Sequence, residues 1–88
     1  MPASDDWRRQ GQERYLKGAA LRRSNYAPPG DHWDHDHCAF CWAKLMAPGH
    51  SGALSEGYVT ADRRHWICPR CFEDFREEFQ WRIANGGA

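Results

Sequence analysis

Cysteine stands at four positions in the chain, Cys38, Cys41, Cys68 and Cys71, each one end of a C-x-x-C pair. Between the pairs lie positions 42 to 67, a spacer of 26 residues. A tight turn within each pair can aim both sulfurs at one point, so the two pairs together offer four thiolates. Four thiolates suit a tetrahedral zinc ion, one per chain, with Zn–S bonds of about 2.3 Å. No cysteine is left over, which favours one shared centre over scattered free thiols. Two disulfides would use the same residues, but such bonds are rare in a cytoplasmic chain.

A second cluster precedes the first pair. The stretch Asp31-His32-Trp33-Asp34-His35-Asp36-His37 crowds imidazoles and carboxylates beside Cys38. His35 and His37 alternate at i and i+2, so from an extended segment they could converge on another metal, with Asp34 or Asp36 supporting them. The plainer reading is a polar loop whose histidines hydrogen-bond the thiolates and whose aspartates cap turns. Iron is the main competitor for the cysteines, because Cys68-Pro69-Arg70-Cys71 has the C-P-x-C form of rubredoxin-like loops. Those loops usually place glycine after the second cysteine. Here Trp42 and Phe72 stand there, which ranks iron below zinc.

The rest of the chain must position these groups. With 88 residues it holds one domain at most, and a core this thin commonly needs a metal as staple. Lys plus Arg number 12 and Asp plus Glu number 12, so no net charge draws the chain to a nucleic-acid backbone, although a local basic patch stays open. No run of about 18 apolar residues is present to span a membrane. Pro2, Ser4, Asp5 and Asp6 do not make a secretory leader, so a cytoplasmic location is expected.

The pattern divides into an amino-terminal helical segment over 1–27, a linker over 28–34, a cysteine-bearing module over 35–85 and a disordered tail over 86–88. Residues 5–23 read as a helix. Ser4 or Asp5 would cap it, Trp7, Tyr15, Leu16, Ala19 and Ala20 would supply a weak apolar face, and Arg22 and Arg23 would close it. Pro28-Pro29-Gly30 is a stop. Residues 46–57 are rich in Gly, Pro and Ser and read as loop. Tyr58-Val59-Thr60, a turn over 61–64 and His65-Trp66-Ile67 read as a hairpin. The second pair then opens a helix. Pro69 suits its first position, and Phe72, Phe75, Phe79 and Ile83 recur at helical spacing as one buried stripe.

Knuckle, β-hairpin, then C-x-x-C at the start of a helix resembles a treble-clef zinc finger. The likeness covers residues 37–83 and implies a small α+β fold, here with an added amino-terminal helix. The chain also resembles a group of small bacterial proteins sharing a pattern similar to Asp34-His35-Asp36-His37-Cys38-Ala39-Phe40-Cys41, then His65-Trp66-Ile67-Cys68 and Cys71-Phe72-Glu73-Asp74-Phe75. That likeness implies no activity. HNH-type and endonuclease VII-like nucleases, a treble-clef branch, carry an Asp-His-Asp-His stretch in which a histidine activates water beside a divalent ion. Theirs usually lies on the hairpin between the cysteine pairs, whereas Asp34–His37 lies before the first pair, and Phe72 stands where they often have Asn.

Five tryptophans, Trp7, Trp33, Trp42, Trp66 and Trp81, are first of all core material for a small domain. Trp42 and Trp66 adjoin ligand cysteines and should wrap the centre. At 100° per residue Trp81 points away from the phenylalanine stripe. It is expected under the Trp7–Tyr15–Leu16 face, or else exposed as a partner-binding anchor. The resulting expectation is a non-enzymatic, zinc-stapled bacterial module that binds another protein, as a regulator, accessory or immunity-type component. A nucleic-acid-binding finger using Arg8-Arg9, Arg22-Arg23 and Arg63-Arg64 is the first alternative. A metal-dependent nuclease or hydrolase using His35 and His37 is the second.

Overall fold

The helix expected over 5–23 breaks at two glycines. In the computed structural model, which describes residues 6–27, 35–49 and 51–84, Gly11 and Gly18 have φ of +87° and +76°. Between them only Glu13–Leu16 is helical (α1). Past Gly18 the chain turns into strand β1, Ala20–Asn25. The helix propensity of Ala-Leu-Arg-Arg is worth only tenths of a kcal/mol per residue. It loses to a full strand ladder that also buries Leu21. The linker 28–34, the tail 86–88, the caps Ser4 and Asp5, and Trp33 and Asp34 lie outside the described residues.

Strand β1 has two partners. It pairs antiparallel with β4, Glu56–Thr60, in the register Leu21↔Thr60 to Asn25↔Glu56. It pairs parallel with β6, Arg82–Ile83. The expected hairpin is present: β4 turns back through residues 61–65 into β5, Trp66–Ile67. The sheet order is β5-β4-β1-β6, so the amino-terminal segment is built into its middle. Gly57 lies where a side chain would collide with the neighbouring strand, since an added Cβ would sit 2.8 Å from the Ile67 carbonyl oxygen. A second, two-stranded sheet joins β2, His35–His37, to β3, Lys44–Met46. The described part of the stretch read from sequence as a polar loop, His35–His37, is therefore a strand, fixed by Asp36↔Leu45 pairing and the burial of Leu45.

Helix α2, Pro69–Phe79, crosses the larger sheet with Phe72, Phe75 and Phe79 buried. It ends at Gln80, whose left-handed conformation (φ 56°) lets its N–H reach the Arg76 and Glu77 carbonyls. The stripe therefore stops at Phe79. Ile83, expected as its last member, lies on β6 and is exposed. The reversal after Gln80 also brings Trp81 back over the helix, where its ring stacks on Phe72 at 5.7 Å. Phe40 from the first knuckle stacks on Phe75 at 4.6 Å, and Tyr58 stacks on Phe72 at 3.7 Å. Each buried ring contributes roughly 1.5–3 kcal/mol over an exposed one. Tyr26, Leu45, Val59 and Trp66 form a smaller cluster between the two sheets. Among the described residues no helix is long and apolar enough to cross a membrane.

Candidate metal centre

The first cysteine pair occupies the tip of the β2–β3 hairpin. Cys38 N–H donates to the Ala43 carbonyl at 2.8 Å and Trp42 N–H to the Cys38 carbonyl at 3.1 Å, closing a tight knuckle. The second pair sits at the start of α2. Cys68 is the N-cap and its sulfur accepts the Cys71 N–H at 3.4 Å, while Pro69 follows with no N–H to satisfy. The two turns are tied together directly. Ala39 N–H donates to the Trp66 carbonyl at 2.8 Å, and Cys68 N–H donates to Cys38 Sγ at 3.3 Å.

All four sulfurs lie within 4.8 Å of one another, with Cys41 Sγ and Cys68 Sγ 3.6 Å apart. No disulfide joins them, and a sulfur–sulfur bond would need about 2.05 Å. Around zinc, bonds of about 2.3 Å place tetrahedral sulfurs about 3.8 Å apart. The observed spacing is that of ligands around an ion. Cys38, Cys68 and Cys71 are buried and Cys41 is half-buried.

Crowding sets the protonation of the thiols. Hydrogen bonds from the Cys68 and Cys71 thiols hold Cys38 as the thiolate, far below its ordinary range. The same bond to Cys38, strengthened by burial, pushes the Cys68 thiol up to about 12 and drives Cys71 higher still. A divalent ion would draw all four sulfurs to the thiolate form, which is the donor chemistry of a structural zinc site.

The sulfurs also receive hydrogen bonds from their surroundings. Phe40 N–H donates to Cys38 Sγ at 3.4 Å. Arg8 Nη1 lies 3.5 Å from Cys71 Sγ and donates to Asp74 Oδ2 at 2.9 Å. Its Nε and Nη2 bind the Asp6 carboxylate, and its guanidinium lies 4.7 Å from the centroid of the Phe75 ring. Zinc with four thiolates has two net negative charges, and a fixed guanidinium beside them lowers the cost of burying that charge. Spacing along the chain gave no sign of Arg8, because nothing local links it to a cysteine 63 residues away.

His35 and His37 project from β2 with ring centroids 5.0 Å apart, edge to face. Among the described residues the four cysteines are the only group of three or more metal-type ligands brought together. Asp36 accepts the Tyr26 hydroxyl at 2.9 Å. The hydrogen bonds to sulfur given above come from backbone N–H groups and Arg8.

The tryptophans also divide. Trp81 is 9% exposed, and its Nε1–H donates to the Leu16 carbonyl at 2.8 Å. The amino-terminal segment thus covers it through Leu16, while Trp7 and Tyr15 stay exposed. As a buried ring Trp81 does not present the bare anchor considered from sequence. Trp66 is buried between the sheets. Trp42 is 58% exposed and does not wrap the centre. Its φ of 67° is left-handed, a conformation that costs a side-chain-bearing residue about 1–2 kcal/mol. The signal for this lay in the sequence: position 42 is where rubredoxin-like loops usually have glycine. No protein-family model, no curated protein and no solved structure matches the chain.

Proposed function

We propose that this chain is a non-enzymatic binding module stapled by one zinc ion, built on the treble-clef plan. The observation that carries the reading is the set of four sulfurs within 4.8 Å. Four protein ligands fill a tetrahedral ion's coordination and leave no position for substrate, the arrangement of structural zinc rather than catalytic zinc. The plan is supported by a knuckle at the β2–β3 tip, the β4–β5 hairpin, and a second pair capping α2. The ion would join the amino-terminal half of the module to its last helix, and the exposed rings Tyr15 and Trp42 would meet a macromolecular partner.

Composition alone ranks a protein partner first. A nucleic-acid partner is favoured by one feature, a ring-lined cleft beside the knuckle with no carboxylate lining it among the described residues. The nuclease reading would need His35 or His37 to activate water. They lie on β2, not on the β4–β5 hairpin where the resembling nucleases carry their histidines. The test is incubation of zinc-loaded protein with single- and double-stranded DNA and RNA plus magnesium, manganese or nickel. No cleavage is expected, and His35→Ala is expected to retain its zinc. Metal-dependent cleavage that disappears in folded His35→Ala would overturn the non-enzymatic reading.

A further inference from the structure

Trp42 combines two features that folding alone does not favour. Its backbone is held in the left-handed region at φ 67°, where glycine would fit without strain. Its ring is 58% exposed, so the residue gains little burial in return. A strained, solvent-facing aromatic points to a role in what the ring touches from outside.

The ring borders a cleft of about 320 Å³ between the knuckle, α1 and the β4–β5 turn. His37 lies beside Trp42, with ring centroids 6.3 Å apart. Tyr15 and His65, from distant parts of the chain, pack with centroids 4.5 Å apart and planes tilted by 36°, and supply a second ring surface. Arg64 lines the same cleft, and the buried Trp66 contributes to its lining. Lys44 is exposed and pairs across the strands with His37.

Charge is segregated around this cleft although the chain is neutral overall. No aspartate or glutamate lines it among the described residues. Asp6 and Asp74 are paired with Arg8, Glu78 with Arg9 and Glu56 with Arg23. Asp62, close to Arg64 in sequence, is bound to the Thr60 hydroxyl and the Arg64 backbone N–H. The cleft therefore presents π-faces with a cation and imidazoles; its described lining holds no carboxylate, and its anionic group is the buried Cys38 sulfur of the metal centre.

We propose that this cleft binds single-stranded nucleic acid, with a base stacked on Trp42, the Tyr15–His65 pair as the second ring surface, and Arg64 meeting a backbone phosphate. Stacking tolerates any base, and a cation beside the rings tracks the backbone. An apolar peptide would use the rings but leave Arg64 unmatched. This proposal rests on the binding-module reading and names its partner class.

The test uses the full zinc-loaded chain and fluorescein-labelled dT10 and rU10, followed by anisotropy at 50 and 200 mM salt. Saturable binding is expected, weakening as salt rises. Trp42→Gly should weaken it about tenfold or more, in the range of one lost base stack. The same variant should keep its zinc and melt at or above the parent temperature, because glycine relieves the left-handed strain. Trp42→Phe should retain most of the binding. Arg64→Gln should weaken binding and reduce the salt slope by about one. Absence of saturable binding to either oligonucleotide would overturn the proposal, as would parent-like affinity in both Trp42→Gly and Arg64→Gln. If Trp42→Gly loses its zinc, Arg64→Gln and Trp42→Phe decide the matter. A glutamate decamer that binds as tightly as the oligonucleotides and depends on Trp42 would overturn the ligand class in favour of an acidic protein. Cleavage of the oligonucleotides would instead overturn the non-enzymatic reading.

Discussion

Arg8 and Cys71 stand 63 residues apart in sequence, yet the Arg8 guanidinium reaches to 3.5 Å from the Cys71 sulfur. The contact makes the amino-terminal segment part of the metal centre's surroundings. Groups that hydrogen-bond ligands typically change metal affinity by about 10–100-fold. Arg8→Ala should therefore leave one zinc per chain but release it to a competing chelator about tenfold faster or more. Arg8→Lys should restore only part of the retention, since one ammonium cannot serve Asp6, Asp74 and the sulfur in the fork geometry of arginine. Chelator competition followed by absorbance checks this; unchanged release in Arg8→Ala would remove Arg8 from the centre.

The other end of the same network gives a pH signature. Hydrogen bonds from the Arg8 side chain and backbone hold the Asp6 carboxyl down at about 2, against an ordinary 3.8. A depressed carboxylate stabilises the fold fully above its unfolded value, and that stabilisation disappears as pH falls through the folded value. The Asp6–Arg8 pair should thus be intact above pH about 4 and be lost between about 4 and 2. Carbon-detected NMR of the zinc-loaded protein, followed down to the pH at which the metal leaves, should show the Asp6 carboxyl still ionised; a carboxyl that protonates towards the ordinary 3.8 while zinc is bound would mean that the pair is not formed in solution.

Trp81 closes the core where the chain reverses after α2. Trp81→Phe keeps a ring on Phe72 and removes the indole donor from the Leu16 carbonyl, which still accepts the Ala19 N–H, for a loss of about 0.5–1.5 kcal/mol. Trp81→Ala also opens a cavity, and should cost about 3–5 kcal/mol. Urea denaturation of the zinc-loaded proteins measures both. A neutral Trp81→Ala would show that the ring is not packed as described.

What was legible in the sequence follows the range of each interaction. The cysteine pairs, the β4–β5 hairpin and the proline-started helix are local patterns, and all three stand where spacing placed them. Strand β1 was hidden because its sequence tolerates a helix. Its conformation is decided by β4 and β6, which lie far along the chain. The burial of Trp81 was obscured by one backbone event, the left-handed Gln80 that ends the helical period. Arg8 was invisible for a different reason, since its role exists only once the amino-terminal segment folds onto α2. Trp42 is the intermediate case: its departure from glycine was visible, while its exposure and its neighbours in the cleft were not.

The central claim is that four thiolates hold one zinc ion on which the fold depends, and metal content measured beside secondary structure tests it most directly. Protein purified without added metal should contain one equivalent of zinc by elemental analysis. Chelation should remove the zinc with loss of α2 helicity by circular dichroism, and restoring zinc should recover both. Cys68→Ser should lose zinc and helicity together, because it removes a ligand and the N-cap of α2 in one change. A chain that is metal-free and fully folded as isolated, or one that carries the visible absorbance of iron–thiolate in place of zinc, would contradict the claim.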